Sequence, residues 1–230
     1  MEQLSPATRT AWDILRSPHP SVPSLITAIS DPSCEVNRVV KGSLLGAPHD
    51  RTLLTYALTK HKLSTDCVKA VIECERVGSE VEDSRGLSPA TLAAGVGRVE
   101  YLQLLRHSRG VDMGKHCSAG YSPLYGALVF KRIVAARWLL SQNEDGGRVD
   151  PHGAVHVDGR NAVVVASQRG DLDVAALLVV VYGVTPPTRL PFEVLVLLFL
   201  ALPLTSPLLP ARSRHLRILF EAVLFLSCRR

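Results

Sequence analysis

The chain has 230 residues, a formal charge of +5 at neutral pH and 47% hydrophobic residues, with aromatics only 5% of the whole. That length suits one array of about five or six short units packed on leucine, valine and alanine. The excess charge is local: residues 185–230 hold six arginines against Glu193 and Glu221, while residues 1–84 are slightly acidic. Without interleaved aromatics, a helix-turn-helix or a zinc-finger spacing, these arginines suggest no nucleic-acid partner.

In chain order, residues 1–20, with Pro6, Pro18 and Pro20, read as a partly ordered lead-in. Its apolar run 11–15 is expected to make one or two turns of capping helix. Ser24-Leu25-Ile26-Thr27-Ala28 and residues 36–45 then read as a helix pair. Asp50-Arg51-Thr52-Leu53-Leu54-Thr55-Tyr56-Ala57 opens the next pair, with residues 67–72 as its second helix after a short insertion near 63–66.

The clearest pattern occupies residues 83–184. Ser88-Pro89-Ala90-Thr91-Leu92-Ala93-Ala94 returns thirty-four residues later as Ser122-Pro123-Leu124-Tyr125-Gly126-Ala127-Leu128. A weaker copy follows as Asn161-Ala162-Val163-Val164-Val165-Ala166-Ser167. A glycine precedes each copy by two residues (Gly86, Gly120, Gly159), and an apolar doublet follows each (Leu104-Leu105, Leu139-Leu140, Leu177-Leu178). Gly86 can take the positive φ of a tight turn. Ser88 can cap the helix that follows, and Pro89 fits its first turn, where the missing N–H costs nothing. The helix over residues 89–95 is rich in small side chains, so its backbone can lie close to its neighbours. Gly97 breaks it, and residues 99–106 restart with Leu102, Leu104 and Leu105 turned inward. Gly110 then stands where a C-terminal glycine belongs. Self-similarity at this period predicts stacked supersecondary units that bury their apolar faces against one another.

These residues resemble the ankyrin repeat, whose T-P-L-H-x-A signature recurs at about 33 residues. The first clear unit matches at Gly86, Ser88, Pro89, Leu92, Ala93, Ala94, Gly97, Leu104, Leu105, Gly110, Val111, Asp112 and Met113. The second matches at Gly120, Ser122, Pro123, Leu124, Ala127, Trp138, Leu139 and Leu140, with Val149 and Asp150 after an insertion around residues 143–147. The third keeps Gly159, Ala166, Gly170, Val174, Leu177, Leu178 and Gly183 but lacks the proline. The family's histidine is replaced by Thr91, Tyr125 and Val164, so its usual turn hydrogen bonds are not expected. The resemblance implies an all-α solenoid of helix-turn-helix units joined by hairpin loops, spanning residues 21–184. It also implies a non-enzymatic module that binds a protein partner on its concave face. Carried over by position, partner contacts fall on Arg85, Leu87 and Val96, then on Ser118, Tyr121, Val129 and Phe130, then on Asp158, Arg160, Gln168 and Arg169. Val129 and Phe130 stand where the family tends to be polar, so they either anchor a partner or pack against an inserted loop.

No catalytic constellation accompanies this pattern, and no metal or cofactor is expected. His152 and His156 flank Gly153 in a segment that reads as loop, without the H-E-x-x-H glutamate. His116 and Cys117 read as adjacent surface side chains at a hairpin. Gly95-Val96-Gly97 is followed by no lysine, and no serine sits in G-x-S-x-G. Cys34, Cys67, Cys74, Cys117 and Cys228 are odd in number and lack C-x-x-C spacing, which suits reduced thiols. With no basic-then-apolar leader at residue 1, an intracellular setting, cytoplasmic or nuclear, is expected.

After Gly183 the composition changes. Residues 194–211 carry no charge, but Pro203, Pro207 and Pro210 interrupt them after nine strongly apolar residues. Three readings of residues 185–230 stand side by side. A divergent last repeat would cap the stack. A membrane segment would need about 20 apolar residues, so membrane association is the less favoured reading. Finally, Leu190-Pro191-Phe192-Glu193-Val194-Leu195 with Phe199, Leu202 and Pro203 resembles the start of an F-box over fourteen residues, which implies a ubiquitin-ligase substrate adaptor.

Overall fold

The computed structural model describes residues 4–42, 49–60, 63–142, 149–150, 161–171, 174–175, 178–179 and 184. It divides into two units, Met1–Val149 and Asp150–Arg230. Among the described residues the chain is all-α, with an isolated bridge between Val40 and Arg51. The first unit holds α1 (Pro6–Arg16), α2 (Val22–Ser30), α3 (Leu53–Thr59), α4 (Thr65–Glu73), α5 (Pro89–Val96), α6 (Val99–Arg109), α7 (Pro123–Val129) and α8 (Ile133–Ser141). The second unit holds α9 (Ala162–Arg169). No helix of the described residues is long and apolar enough to cross a membrane; residues 185–230 lie outside them.

Local chemistry sets the helix ends. Ser5, Ser21, Thr52, Ser64, Ser88, Ser122 and Asn161 each accept a hydrogen bond from the backbone N–H three residues on. A cap of this kind contributes about 1 kcal/mol. Pro6, Pro89 and Pro123 occupy the first helical turn. Gly97, Gly110 and Gly170 end their helices at φ of +86°, +63° and +77°. At the matching place after α7 stands Lys131, whose φ of +54° puts an L side chain in the left-handed region.

In the first unit α1 packs on α2, α3 on α4, α5 on α6 and α7 on α8. The pairs stack in two rows. α5 lies between α3 and α7, while α4 touches α2 and α6, and α6 touches α8. Between the rows run Leu25 and Ile29, Leu53 and Leu58, Val68 and Ile72, Leu102 and Leu105, and Ala136 and Leu139, all buried. Two arginines each tie a layer to the one before. The Arg76 guanidinium donates to the carbonyls of Ile29 (2.9 Å), Asp31 (2.5 Å), Pro32 (3.0 Å) and Cys34 (2.9 Å). Arg109 donates to those of Val77 (2.6 Å), Glu75 (3.3 Å) and Cys74 (3.4 Å). Both satisfy carbonyls at or after a helix C-terminus, where no intrahelical donor exists.

Four expectations change. The lead-in is an eleven-residue helix, because Ser5 and Pro6 start it well before the apolar run. It buries Ala11, Trp12 and Leu15, and Trp12 meets Tyr56 of α3 edge-on at 5.2 Å. Accordingly α2 packs on α1, and of the expected partner helix over residues 36–45, residues 43–45 lie outside the described residues. Residues 36–41 are non-helical, with Val36 and Val40 buried and Val40 exchanging two backbone hydrogen bonds with Arg51 (2.8 and 3.0 Å). Leu104 is only half-buried, whereas Tyr101, Leu102 and Leu105 form the inward stripe. The thirty-four-residue period explains it: Leu105 corresponds to Leu139, and Leu104 to the half-buried Trp138. Cys117 is buried, not superficial, because it takes the position of Asp83 inside the next hairpin; its N–H donates to the Tyr121 carbonyl at 3.0 Å. The cysteines among the described residues, Cys34, Cys67, Cys74 and Cys117, are free thiols.

Candidate functional site

The hairpins that precede α5 and α7 share one construction. Asp83 N–H donates to the Leu87 carbonyl at 3.0 Å, as Cys117 N–H does to Tyr121, and Gly86 and Gly120 turn the chain at φ of +70° and +77°. Asp83 is buried, and its carboxylate accepts from the amides of Arg85 and Leu87, both at 3.0 Å, and pairs with the Arg85 guanidinium at 2.9 Å. Successive hairpins are laced together by Ala119 N–H donating to the Gly86 carbonyl at 3.2 Å.

Between these hairpins and α3, α5 and α7 lies a groove of about 490 Å³. Small residues on α5 and α7 open it. A Cβ added at Gly126 would stand 2.7 Å from the Thr91 carbonyl oxygen, so this glycine lets the two helices approach. At Gly95 an added Cβ would meet the Phe130 ring at 3.0 Å, and at Gly97 the Arg132 side chain at 2.6 Å. Phe130 and Arg132 thus lie across the end of α5, and Arg132 Nε donates to the Gly95 carbonyl at 3.1 Å. Phe130 remains 61% exposed. Tyr121 and Tyr125 stack with centroids 4.9 Å apart and planes 9° from parallel.

The groove is basic. Arg51, Arg85 and Arg132 line it, and no carboxylate does among the described residues. Arg51 donates from Nη1 to the Thr55 carbonyl (3.5 Å) and the Thr59 hydroxyl, and its buried Nε has no acceptor. Burial, and then the neighbouring Arg85 charge, pull the Arg51 guanidinium below its ordinary value, opposed by Asp83 and Tyr56. Arg51 and Arg132 form no ion pair among the described residues, while Asp83 pairs with Arg85 and also acts on Arg51.

Six residues anticipated from the repeat pattern come together here: Arg85, Leu87, Val96, Tyr121, Val129 and Phe130. Ser118 does not join them. Its amide donates to Glu82 at 2.8 Å and its hydroxyl to the same carboxylate, which pins it at the hairpin tip. Gln168 and Arg169 are exposed on α9 in the second unit. Asp158 and Arg160 lie outside the described residues, as do His152 and His156. Sequence reasoning missed Arg51, Tyr125 and Arg132. The signal was present for the first and last: Arg51 stands thirty-four residues before Arg85, and Arg132 thirty-four after Arg98. Scanned against models of known families the chain matches none, and a comparison with curated proteins likewise returns no match.

Proposed function

We infer that this chain is a non-enzymatic, ankyrin-type repeat solenoid that holds a protein partner in the groove bounded by α3, α5 and α7. What carries the reading is Phe130, a large apolar ring left 61% exposed at the mouth of a groove that also presents Tyr121 and Tyr125. Aromatic residues are enriched in protein interfaces and among their energetic centres. Further support comes from helix pairs repeating at thirty-four residues with matching caps at Ser88 and Ser122. An intracellular setting accords with the free thiols of Cys34, Cys67, Cys74 and Cys117.

Position-dependent photocrosslinking tests it. A photoreactive phenylalanine analogue at position 130 of the full chain is expected to trap a protein in cells. The same analogue at Val134, which is 71% exposed on α8 and outside the groove, is expected not to. Identical adducts from both positions would contradict the reading.

A further inference from the structure

The charge of the groove narrows what enters it. Three guanidiniums line the groove; among the described residues only that of Arg85 is ion-paired, to the buried Asp83, which already accepts from two amides as well. Arg51 is held among hydroxyl and carbonyl acceptors, beside a like charge. Arg132 donates its Nε–H to the Gly95 carbonyl and is an exposed residue. Among the described residues Arg51 and Arg132 have no ion-pair partner, and such guanidiniums favour a carboxylate ligand, because charge-assisted and forked hydrogen bonds are stronger than neutral ones. Beside these arginines the lining includes the aromatic and aliphatic side chains of Tyr121, Tyr125, Val129 and Phe130.

We propose that the groove selects an extended acidic peptide segment of its partner, with carboxylates at the Arg51–Arg85 end and at Arg132 and an apolar side chain set between them on Phe130 and the tyrosine pair. This rests on the groove being the protein-binding surface and adds the chemistry it selects. A single-stranded nucleic acid fits less well. Tyr121 and Tyr125 each give a ring face to the other, and bases need free ring faces with cations spaced along a backbone.

Selection from a random peptide display library against the full chain tests the proposal, followed by binding of the enriched peptides as free synthetic peptides. The expected peptides carry net negative charge and an aromatic or branched apolar residue. Their binding weakens with ionic strength and falls about tenfold in Arg132→Gln, whose guanidinium lies on the surface. Arg51→Met is the second variant; should it fail to fold, Arg132→Gln and the salt dependence decide. Neutral or basic peptides that still require Tyr121 and Phe130 would overturn the acidic preference while leaving the groove as the binding surface. Peptides indifferent to Tyr121→Ala with Phe130→Ala, or no enrichment, would overturn both. Displacement of an enriched peptide by a single-stranded homopolymeric oligonucleotide, lost in Arg132→Gln, would replace the peptide with a nucleic acid and so refute the proposal.

Discussion

Gly126 shows how a single residue fixes the distance between neighbouring helices of one row, α5 and α7. In an exposed helix, replacing glycine by alanine gains about 1 kcal/mol of helix propensity. Here the added Cβ would sit 2.7 Å from the Thr91 carbonyl oxygen, and a backbone oxygen cannot swing away. Gly126→Ala should therefore destabilise the protein by roughly 1–3 kcal/mol, the usual cost of overpacking. Equilibrium denaturation showing a gain would mean α5 and α7 do not pack this closely. The leucines of α6 and α8 make a graded set. Leu105→Ala and Leu139→Ala should each cost roughly 2–5 kcal/mol, as fully buried leucines do. Leu104→Ala should cost about 1 kcal/mol, nearer the surface range, because that side chain is only half-buried. Equal losses at Leu104 and Leu105 in the same denaturation series would reject the inward stripe described for α6.

Helix ends carry the next level of organisation, and they are where the sequence was easiest to read. Ser88-Pro89 and Ser122-Pro123 announce α5 and α7 because a hydroxyl cap and a proline act locally, whatever packs on the helix later. The same signal at Ser5-Pro6 marks α1, yet the nearby Pro18 and Pro20 suggest disorder until Trp12 finds Tyr56. That contact spans forty-four residues of sequence, and no local pattern encodes it. Residues 36–41 illustrate the opposite error. Their valines look like a helix face, but Val40 pairs with Arg51 as extended backbone, and Asp31 turns the preceding chain by accepting from Ser33 N–H at 2.8 Å. Lys131 is the exception among the helix ends. It adopts the left-handed conformation that Gly97 and Gly170 take without strain, at a cost of roughly 1–2 kcal/mol for an L residue. Lys131→Gly should raise stability by about 1 kcal/mol in thermal or urea unfolding. A loss would show that the lysine side chain makes a compensating contact.

For the molecule as a whole, the repeat register made most of the groove legible before its geometry. Residues at equivalent places in successive units face the same way, so Arg85, Tyr121 and Phe130 could be assigned by position alone. The basic character was not legible, since it depends on where Arg51 and Arg132 end up relative to the buried Asp83. Ser118, expected as a partner contact from its hairpin position, lies outside the groove lining because Glu82, from the neighbouring hairpin, accepts from its amide and hydroxyl. The central claim is that this groove holds a protein partner through its aromatic residues. Its most direct test measures the affinity of the partner trapped at position 130 for the native chain and for Tyr121→Ala with Phe130→Ala. The account predicts at least tenfold weaker binding, about 1.4 kcal/mol, with helical circular dichroism unchanged. Undiminished affinity in the folded double variant would contradict it and move the binding surface off the groove.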